Sequence, residues 1–389
     1  MFFLILGSIS LSIVSLVYFL YYVLIYGAKD RASRYLKNIQ RTLETEVRLL
    51  PSVSIIVSTY EEAKVIRRKI ENIADSDYPL DKMEIIVIDD ASKDRTAEIA
   101  ERALAELGLN GKVLRNPNRI GLNASLNTAI EAASNDVLCI TDSDVTFKED
   151  ALQNAIKVLV GIQGAGGVTG KIVPSFDRDT KVTRLEDGYR DFSNRSMLAE
   201  SFRHSTFPGS GVLTAFRRSS LTGLIPVSYG STDGNISMSI VKSGHRFLYV
   251  PYADVYEPMP ADISQHRLQK VRRAKRLIQV VLHNTDVLFN GKYGEFGLVV
   301  FPLKFAMLVL CPVLMCIGFV SFVVFILLSQ SIVLYSFLLL GLLTVAVISA
   351  ISGRLCSLVS GFVLHQFYLI VGLFSSFKKG GFWKKIERR

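Results

Sequence analysis

From Pro51 to Val160, short aliphatic and β-branched runs alternate with segments whose apolar residues recur every three to four positions. The runs Val53–Ser58, Met83–Ile88, Lys112–Arg115 and Val137–Ile140 predict strands, the first two buried. The segments Glu62–Ala74, Arg95–Glu106, Gly121–Ala133 and Glu149–Val160 predict helices between and after them. Strand and helix in alternation give a mostly parallel sheet with crossover helices. Beyond Gly170 the alternation weakens into a mixed segment, with a helix near Asp233–Ser243 and a strand near Arg246–Val250. A basic helix follows at Gln265–Phe289. Gly164, Gly166, Gly167 and Gly170 precede a strand instead of opening a helix, so they read as backbone-packing residues.

Four windows carry no Asp, Glu, Lys or Arg: Phe2–Tyr26, Phe305–Leu328, Ser331–Ser352 and Leu355–Phe377. About 20 apolar residues span the hydrocarbon core of a bilayer, so each window is long enough to cross. The polar stretch Lys29–Gly297 lies between the first and second windows, as expected of a membrane-anchored globular protein and not of a channel. The boundaries that follow are an anchor at 1–28, a basic juxtamembrane segment at 29–50 and an α/β domain at 51–263. A basic amphipathic interface region at 264–297, membrane segments at 298–377 and a basic tail at 378–389 complete the chain.

The chain of 389 residues is 49% hydrophobic and only 21% charged, which excludes a disordered tail or a coiled coil. Cys139, Cys311, Cys316 and Cys356 have neither zinc-site nor disulfide-framework spacing and read as buried apolar fillers. Lys29, Arg31, Arg34, Lys37 and Arg41 follow the first window and place the domain in the cytoplasm by the positive-inside rule. Three full C-terminal crossings would put the tail outside, while Lys378, Lys379, Lys384, Lys385, Arg388 and Arg389 argue for the inside. A re-entrant or interfacial Leu355–Phe377, with His365 and Gln366 at its centre, reconciles the two. The net charge of +10 gathers beside the windows and in Gln265–Arg276, which fits anionic lipid headgroups and a phosphate-bearing substrate instead of nucleic acid.

Ligands of open α/β sheets bind beyond the carboxyl ends of the strands. Ser58–Thr59–Tyr60–Glu61, Asp89–Asp90 and Asp142–Ser143–Asp144 all fall at such ends. A single aspartate there is ordinarily a cap or turn residue, but paired carboxylates at two separate ends are not accounted for that way. Asp142 and Asp144 point two carboxylates toward one face of a turn, which suits a hard divalent cation holding a diphosphate. The turn after the first strand, Thr59–Tyr60–Glu61–Glu62, lacks the glycines of a dinucleotide site. His204, His245, His266, His283 and His365 show no metal-ligand spacing.

Val53–Glu61, Ile86–Ser92 (IVIDDAS) and Thr141–Asp144 (TDSD) together resemble the GT-A nucleotide-sugar domain of glycosyltransferase family 2. The resemblance runs from Pro51 to about Arg276, and the flanking windows are similar to the integral-membrane branch that holds hyaluronan, chitin and cellulose synthases. It implies a Rossmann-like mixed sheet with helices on both faces, joined to transmembrane helices. It further implies that Thr59, Tyr60 and Glu61 line a nucleobase pocket, that Asp89 or Asp90 holds uracil or ribose, and that Asp144 is the main ligand for Mg²⁺ or Mn²⁺. Asp142 would contact the sugar or ribose beside that ion. Asp233, in Ser231–Thr232–Asp233–Gly234, stands where the family keeps its general base. Gln269–Arg273 resembles the QxxRW motif, with Gln269 and Arg272 on the donor and Arg272 on its pyrophosphate. Gly209–Ser210–Gly211 resembles the loop near the acceptor.

Two departures bear on the product. Arg273, on the acceptor side, stands where processive synthases have Trp, and Leu122 replaces the lysine of the G-K-x-x-A-L-N run, whose charge Arg119 supplies from nearby. Trp383–Arg388 resembles the W-x-K-x-x-R tail of many relatives. The expected activity is inverting transfer from a UDP-sugar to a glycan or lipid-linked acceptor, by a multi-pass cell-membrane protein facing the cytoplasm. Single transfer to a polyprenyl phosphate or other lipid is the alternative, and a non-catalytic nucleotide-binding protein is the reading from another class.

Overall fold

The computed structural model describes residues 1–27, 29–44, 50–176, 181–259, 263–329 and 353–377. The window Ser331–Ser352 and the tail 378–389 lie outside the described residues. Two helices, α1 (Phe2–Tyr21) and α2 (Lys29–Glu44), lead into the sheet. Its strands are β1 (Val53–Thr59), β2 (Met83–Asp89), β3 (Gly111–Arg115), β4 (Val137–Asp142), β5 (Thr146–Phe147), β6 (Ala165–Ser175), β7 (Leu213–Arg217) and β8 (Arg246–Pro258). They are ordered β3-β2-β1-β4-β7-β6-β8-β5. β1 to β4 run parallel, β7 is antiparallel to both β4 and β6, and β6 is parallel to β8. The sheet is therefore mixed, and Thr59, Asp89 and Asp142 end on one edge because their strands share a direction.

Between and after the strands lie α3 (Ile66–Ala74), α4 (Thr96–Glu106), α5 (Leu122–Ala132), α6 (Ala151–Gly161), α7 (Lys181–Arg203), α8 (Thr232–Lys242) and α9 (Ile263–His283). Alternation along β1 sends Val53, Ile55 and Val57 to one core with Ile66 and Ile70 of α3, Ala100 and Leu104 of α4 and Leu152 and Ile156 of α6. Ile56 faces the other way, with Leu126 and Ile130 of α5 and Ile236 and Ile240 of α8. Both sheet faces are covered, as parallel strands require.

Several elements differ from the sequence reading, each for a local reason. α3 begins at Ile66, four residues late, because the Glu62 and Ala63 amides donate to Thr96 Oγ1 (2.9 Å) and Asp94 Oδ2 (3.2 Å) and so hold that turn against the start of α4. α9 ends at His283, ahead of Phe289, because Asn284 at φ −121° and ψ 32° leaves helical geometry. Gly166, Gly167 and Gly170 lie inside β6, but their packing role stands: a Cβ on Gly167 would meet Ile240 Cδ1 at 2.4 Å, and one on Gly170 the Ala253 carbonyl at 2.8 Å. α7 has no counterpart in the sequence reading, because its apolar residues form no clean helical stripe. The basic segment after the anchor forms α2, which buries Tyr35 and Ile39 against the domain.

C-terminal to the domain are α10 (Phe301–Phe305), α11 (Cys311–Ser329) and α12 (Gly353–Ser376). Phe2–Ile25 and Phe296–Ser329 are long and apolar enough to cross a membrane, whereas the apolar part of α12, Gly361–Ser376, is shorter. α1 and α11 meet through small residues: Gly7, Ser10, Gly318 and Ser321 are buried, and a Cβ on Gly7 would approach the Gly318 carbonyl to 3.3 Å. Cys139 and Cys311 are buried as expected, but Cys316 is exposed, on an outward face of α11, and so is not a buried filler.

At the edge opposite those carboxyl ends, Glu84 of β2 ties β1, β2 and β3 to the turn before β4. Its carboxylate accepts from Ser54 Oγ (2.5 Å), the Ser134 amide (2.8 Å) and Ser134 Oγ (2.9 Å), and pairs with Lys112 Nζ (2.9 Å). Burial works to raise its pKa, but these donors outweigh it and hold the group at about 2. A depressed carboxylate stabilises the fold above its unfolded pKa of roughly 4.3, and that contribution is lost as pH falls toward 2. Glu84→Gln should therefore lower the unfolding midpoint at pH 7, and the gap to the wild-type chain should close between about pH 4.3 and 2. Thermal unfolding across that range checks it.

Candidate active site

A cavity of about 870 Å³ opens at the carboxyl edge and is walled by α5, α7, α8, α9 and the apolar helices. Thr59, Tyr60, Glu61, Asp90, Arg119, Asp142, Asp144, Gly209, Ser210, Gly211, Asp233, Arg272 and Arg273 all line it, although they come from seven separate stretches of chain. Asp89 and Gln269 do not. Asp89 borders an adjoining hollow with Ser92 and Lys93, and Gln269 is 1% exposed, with no partner for its Nε2 among the described residues.

The two aspartates after β2 are largely committed to holding turns. Asp89 accepts from the Ser92 amide (3.0 Å), from Ser92 Oγ and from Thr59 Oγ1 (3.3 Å), and Ser92 Oγ in turn receives the Glu61 amide (2.8 Å). This network keeps Glu61 and Ala91 in left-handed conformations, at φ 56° and 60°, which cost energy for residues with a side chain. Asp90 accepts from Asn116 Nδ2 (3.0 Å) and from the amides of Ile120 (2.8 Å) and Gly121 (2.9 Å). Gly121 opens α5 at φ 91°, a conformation that excludes other residues. The same loop carries Arg119, whose guanidinium lies 3.7 Å from the centre of the Tyr60 ring.

Asp142 ends β4, and Asp144 follows two residues later in the turn before β5. Among the described residues no three of His, Cys, Asp and Glu converge, so no cage of side chains surrounds an ion. Two carboxylates on one wall instead fit a hard cation whose other positions belong to a diphosphate and water. To the same cavity α9 brings Lys270, Arg272, Arg273 and Arg276. Burial and the neighbouring Arg276 and Arg273 bring Arg272 down to about 10, with Asp142 opposing.

Asp233 lies in the first turn of α8, but the cap is Ser231, whose Oγ accepts from the Gly234 amide at 3.3 Å. The carboxylate of Asp233 borders the cavity beside this cap. Burial raises its pKa, against hydrogen bonds from Ser231 and Gly234 and the charge of Arg273. The glycine loop passes it: a Cβ on Gly211, at φ 81°, would stand 3.9 Å from Asp233 Cγ. Thr169 Oγ1 fixes that loop by accepting the Ser210 amide at 2.8 Å. Arg273 donates to the buried Glu257 (2.7 Å), which Arg190 of α7 also meets (3.1 Å).

The cavity also holds residues absent from the sequence reading. Tyr189 and Arg190 arrive on α7, and Lys270 Nζ sits 3.7 Å from the centre of the Tyr189 ring. Lys270 and Arg276 belong to a visible basic cluster, and Lys304 was legible as the lone charge at the head of an apolar window. Nothing in the sequence of α7 signals its part. Tyr18 of α1, Met307 and Leu308 of the Phe296–Ser329 span, and Tyr368 and Leu369 of α12 continue the wall to the apolar helices.

Residues 54–224 match the family described as Glycosyl transferase family 2. The chain is 26% identical over 291 residues to a probable glycosyltransferase, YdaM, of Bacillus subtilis, covering 73% of this chain and 69% of that protein. It is 28% identical over 243 residues to an N-acetylglucosaminyltransferase of Rhizobium meliloti, covering 59% of this chain and 56% of the relative's length. Among solved structures, mannosyltransferase PcManGT of Pyrobaculum calidifontis, in complex with GDP-Man and Mn²⁺, shares the fold with a TM-score of 0.71 at 24% identity, over 95% of this chain and 98% of that one.

Removing the Asp90 carboxylate strands the Ile120 and Gly121 amides and the Asn116 side chain. Asp90→Ala should cost about 1–3 kcal/mol for each donor left buried and unpaired, seen as a lower unfolding midpoint, with the Arg119 loop exchanging its amide hydrogens faster.

Proposed function

Since the chain carries a glycosyl transferase family 2 domain and is a glycosyltransferase, we propose that it is a membrane-bound inverting enzyme that moves one sugar at a time from a UDP-sugar to a lipid-linked or glycan acceptor. The observation that carries this reading is one cavity holding Asp142, Asp144, Asp233 and Arg272 together. Tyr60 and Arg119 would hold the base, and Asp90 would keep their loop in place. Asp144, with Asp142, would hold Mg²⁺ or Mn²⁺, which when bound supplies positive charge against the leaving diphosphate. Arg272, on the wall formed by α9, stabilises the same charge. Asp233 takes the proton of the attacking hydroxyl, and its raised pKa suits a general base. One direct displacement inverts the anomeric centre.

The extension of the cavity to Tyr18, Met307, Leu308, Tyr368 and Leu369 favours an acceptor with a lipid portion, as does Arg273 at the position where processive synthases carry Trp. A membrane location with the domain in the cytoplasm rests on the two apolar spans and on Arg34, Lys37 and Arg41 beyond α1.

Transfer from labelled UDP-sugars, with GDP-Man as the competing donor, should occur in membrane lipid extract, stop in EDTA and return with Mn²⁺ or Mg²⁺. Full activity in EDTA would sink the metal assignment. Asp233→Asn should cut turnover roughly 10²–10⁴-fold with UDP affinity nearly unchanged, whereas Arg272→Ala should weaken both. Because burial raises the Asp233 pKa, wild-type turnover should fall on acidification at a pH above the ordinary carboxylate range. A pH profile of kcat checks this.

A further inference from the structure

Lys69 of α3 is 2% exposed, inside the main core, and no step above uses it. A buried ammonium is costly, and a Met would fill the same space without that cost. Burial brings its pKa down to about 7, against the opposing influence of the neighbouring Cys139 and Asp142. Its contacts are specific. Nζ donates to the Val145 carbonyl at 3.2 Å and lies 3.6 Å from the centre of the Phe147 ring. The amine donates to that carbonyl whether or not it is charged. One turn further along α3, Asn72 brackets Phe147, with Nδ2 donating to its carbonyl at 2.9 Å and Oδ1 accepting its amide at 2.7 Å.

Val145 to Phe147 is the backbone directly after Asp144. Its other side is fixed by β8, with Thr146 opposite Tyr256 and Phe147 opposite Val255. The turn that carries the two carboxylates therefore hangs between β4, which ends at Asp142, and a segment gripped from both sides. Val145 and Phe147 are each 2% exposed, so water cannot stand in for a lost donor. A small shift of this segment would move Asp144 relative to Asp142.

We propose that Lys69 and Asn72 are positioning residues that hold the Val145–Phe147 backbone, and through it the Asp142 and Asp144 carboxylates, in the geometry that grips a cation-bound diphosphate. The consequence for binding rests on the donor reading above; the anchoring does not.

The test uses the full chain in detergent, with Lys69→Met and Asn72→Ala. Three quantities are measured: the unfolding midpoint, amide hydrogen exchange across residues 142–147 without ligand, and UDP affinity by calorimetry with Mn²⁺ and in EDTA. Lys69→Met removes a buried amine but leaves the Val145 carbonyl without its donor, so the midpoint should change little, while exchange in 142–147 accelerates and that in β1 and β2 does not. UDP affinity should drop roughly 10- to 100-fold with Mn²⁺ and stay constant in EDTA. Asn72→Ala should show the same pattern of exchange and affinity. Unchanged exchange, faster exchange with unaltered Mn²⁺-dependent affinity, or an equal loss of affinity with and without Mn²⁺ would each overturn the proposal. A wild-type chain without Mn²⁺-dependent UDP binding would fail the donor reading alone, and exchange would then decide the anchor.

Discussion

A carboxylate withdrawn from water has to be met by donors, and two such groups tie this molecule together. Glu200 of α7 is 0% exposed and accepts from Tyr21 (2.5 Å), Lys304 (2.7 Å), Thr206 Oγ1 (3.0 Å) and the Phe207 amide (3.1 Å). It binds α1, α7, the segment leading to the glycine loop and the head of the Phe296–Ser329 span. Glu257 near the end of β8, 1% exposed, is met by Arg190 of α7 and Arg273 of α9. Breaking such a pair strands the remaining charge and is far more costly than the pair itself is stabilising. The position of α9, and so of Arg272 over the cavity, follows from these constraints together with the packing of α9 on α12.

The sheet supplies the rest of the geometry. Shared strand direction brings the ends of β1, β2 and β4 to one edge, and the same edge has to satisfy the polar groups it exposes. The solution divides the acidic residues. Asp89 and Asp90 accept from backbone amides, hydroxyls and the Asn116 side chain and so hold two turns, whereas Asp142, Asp144 and Asp233 line the cavity from other elements. The adjacent pair Asp89–Asp90 and the spaced pair Asp142–Asp144 look alike in sequence, and the donors that tie Asp89 and Asp90 to their loops are visible only in three dimensions.

The alternating pattern from Val53 to Val160 determined the parallel half of the sheet and the placement of its strand ends, because apolar periodicity is a local property that burial on two faces enforces. The apolar windows likewise fixed the helices that form the far wall of the cavity. What the sequence left undecided depends on distant partners. α7 has little apolar periodicity and owes its place to Glu200 and Arg190, whose partners lie up to 179 residues away. The late start of α3 reflects Asp94 and Thr96, and the use of Lys69 reflects Val145 and Phe147. The families of side chains at the strand ends were legible, but which of them hold the loops and which face the cavity was not. Local pattern encodes burial, whereas the pairing of buried polar groups is a property of three-dimensional neighbours, and only the tertiary structure decides it.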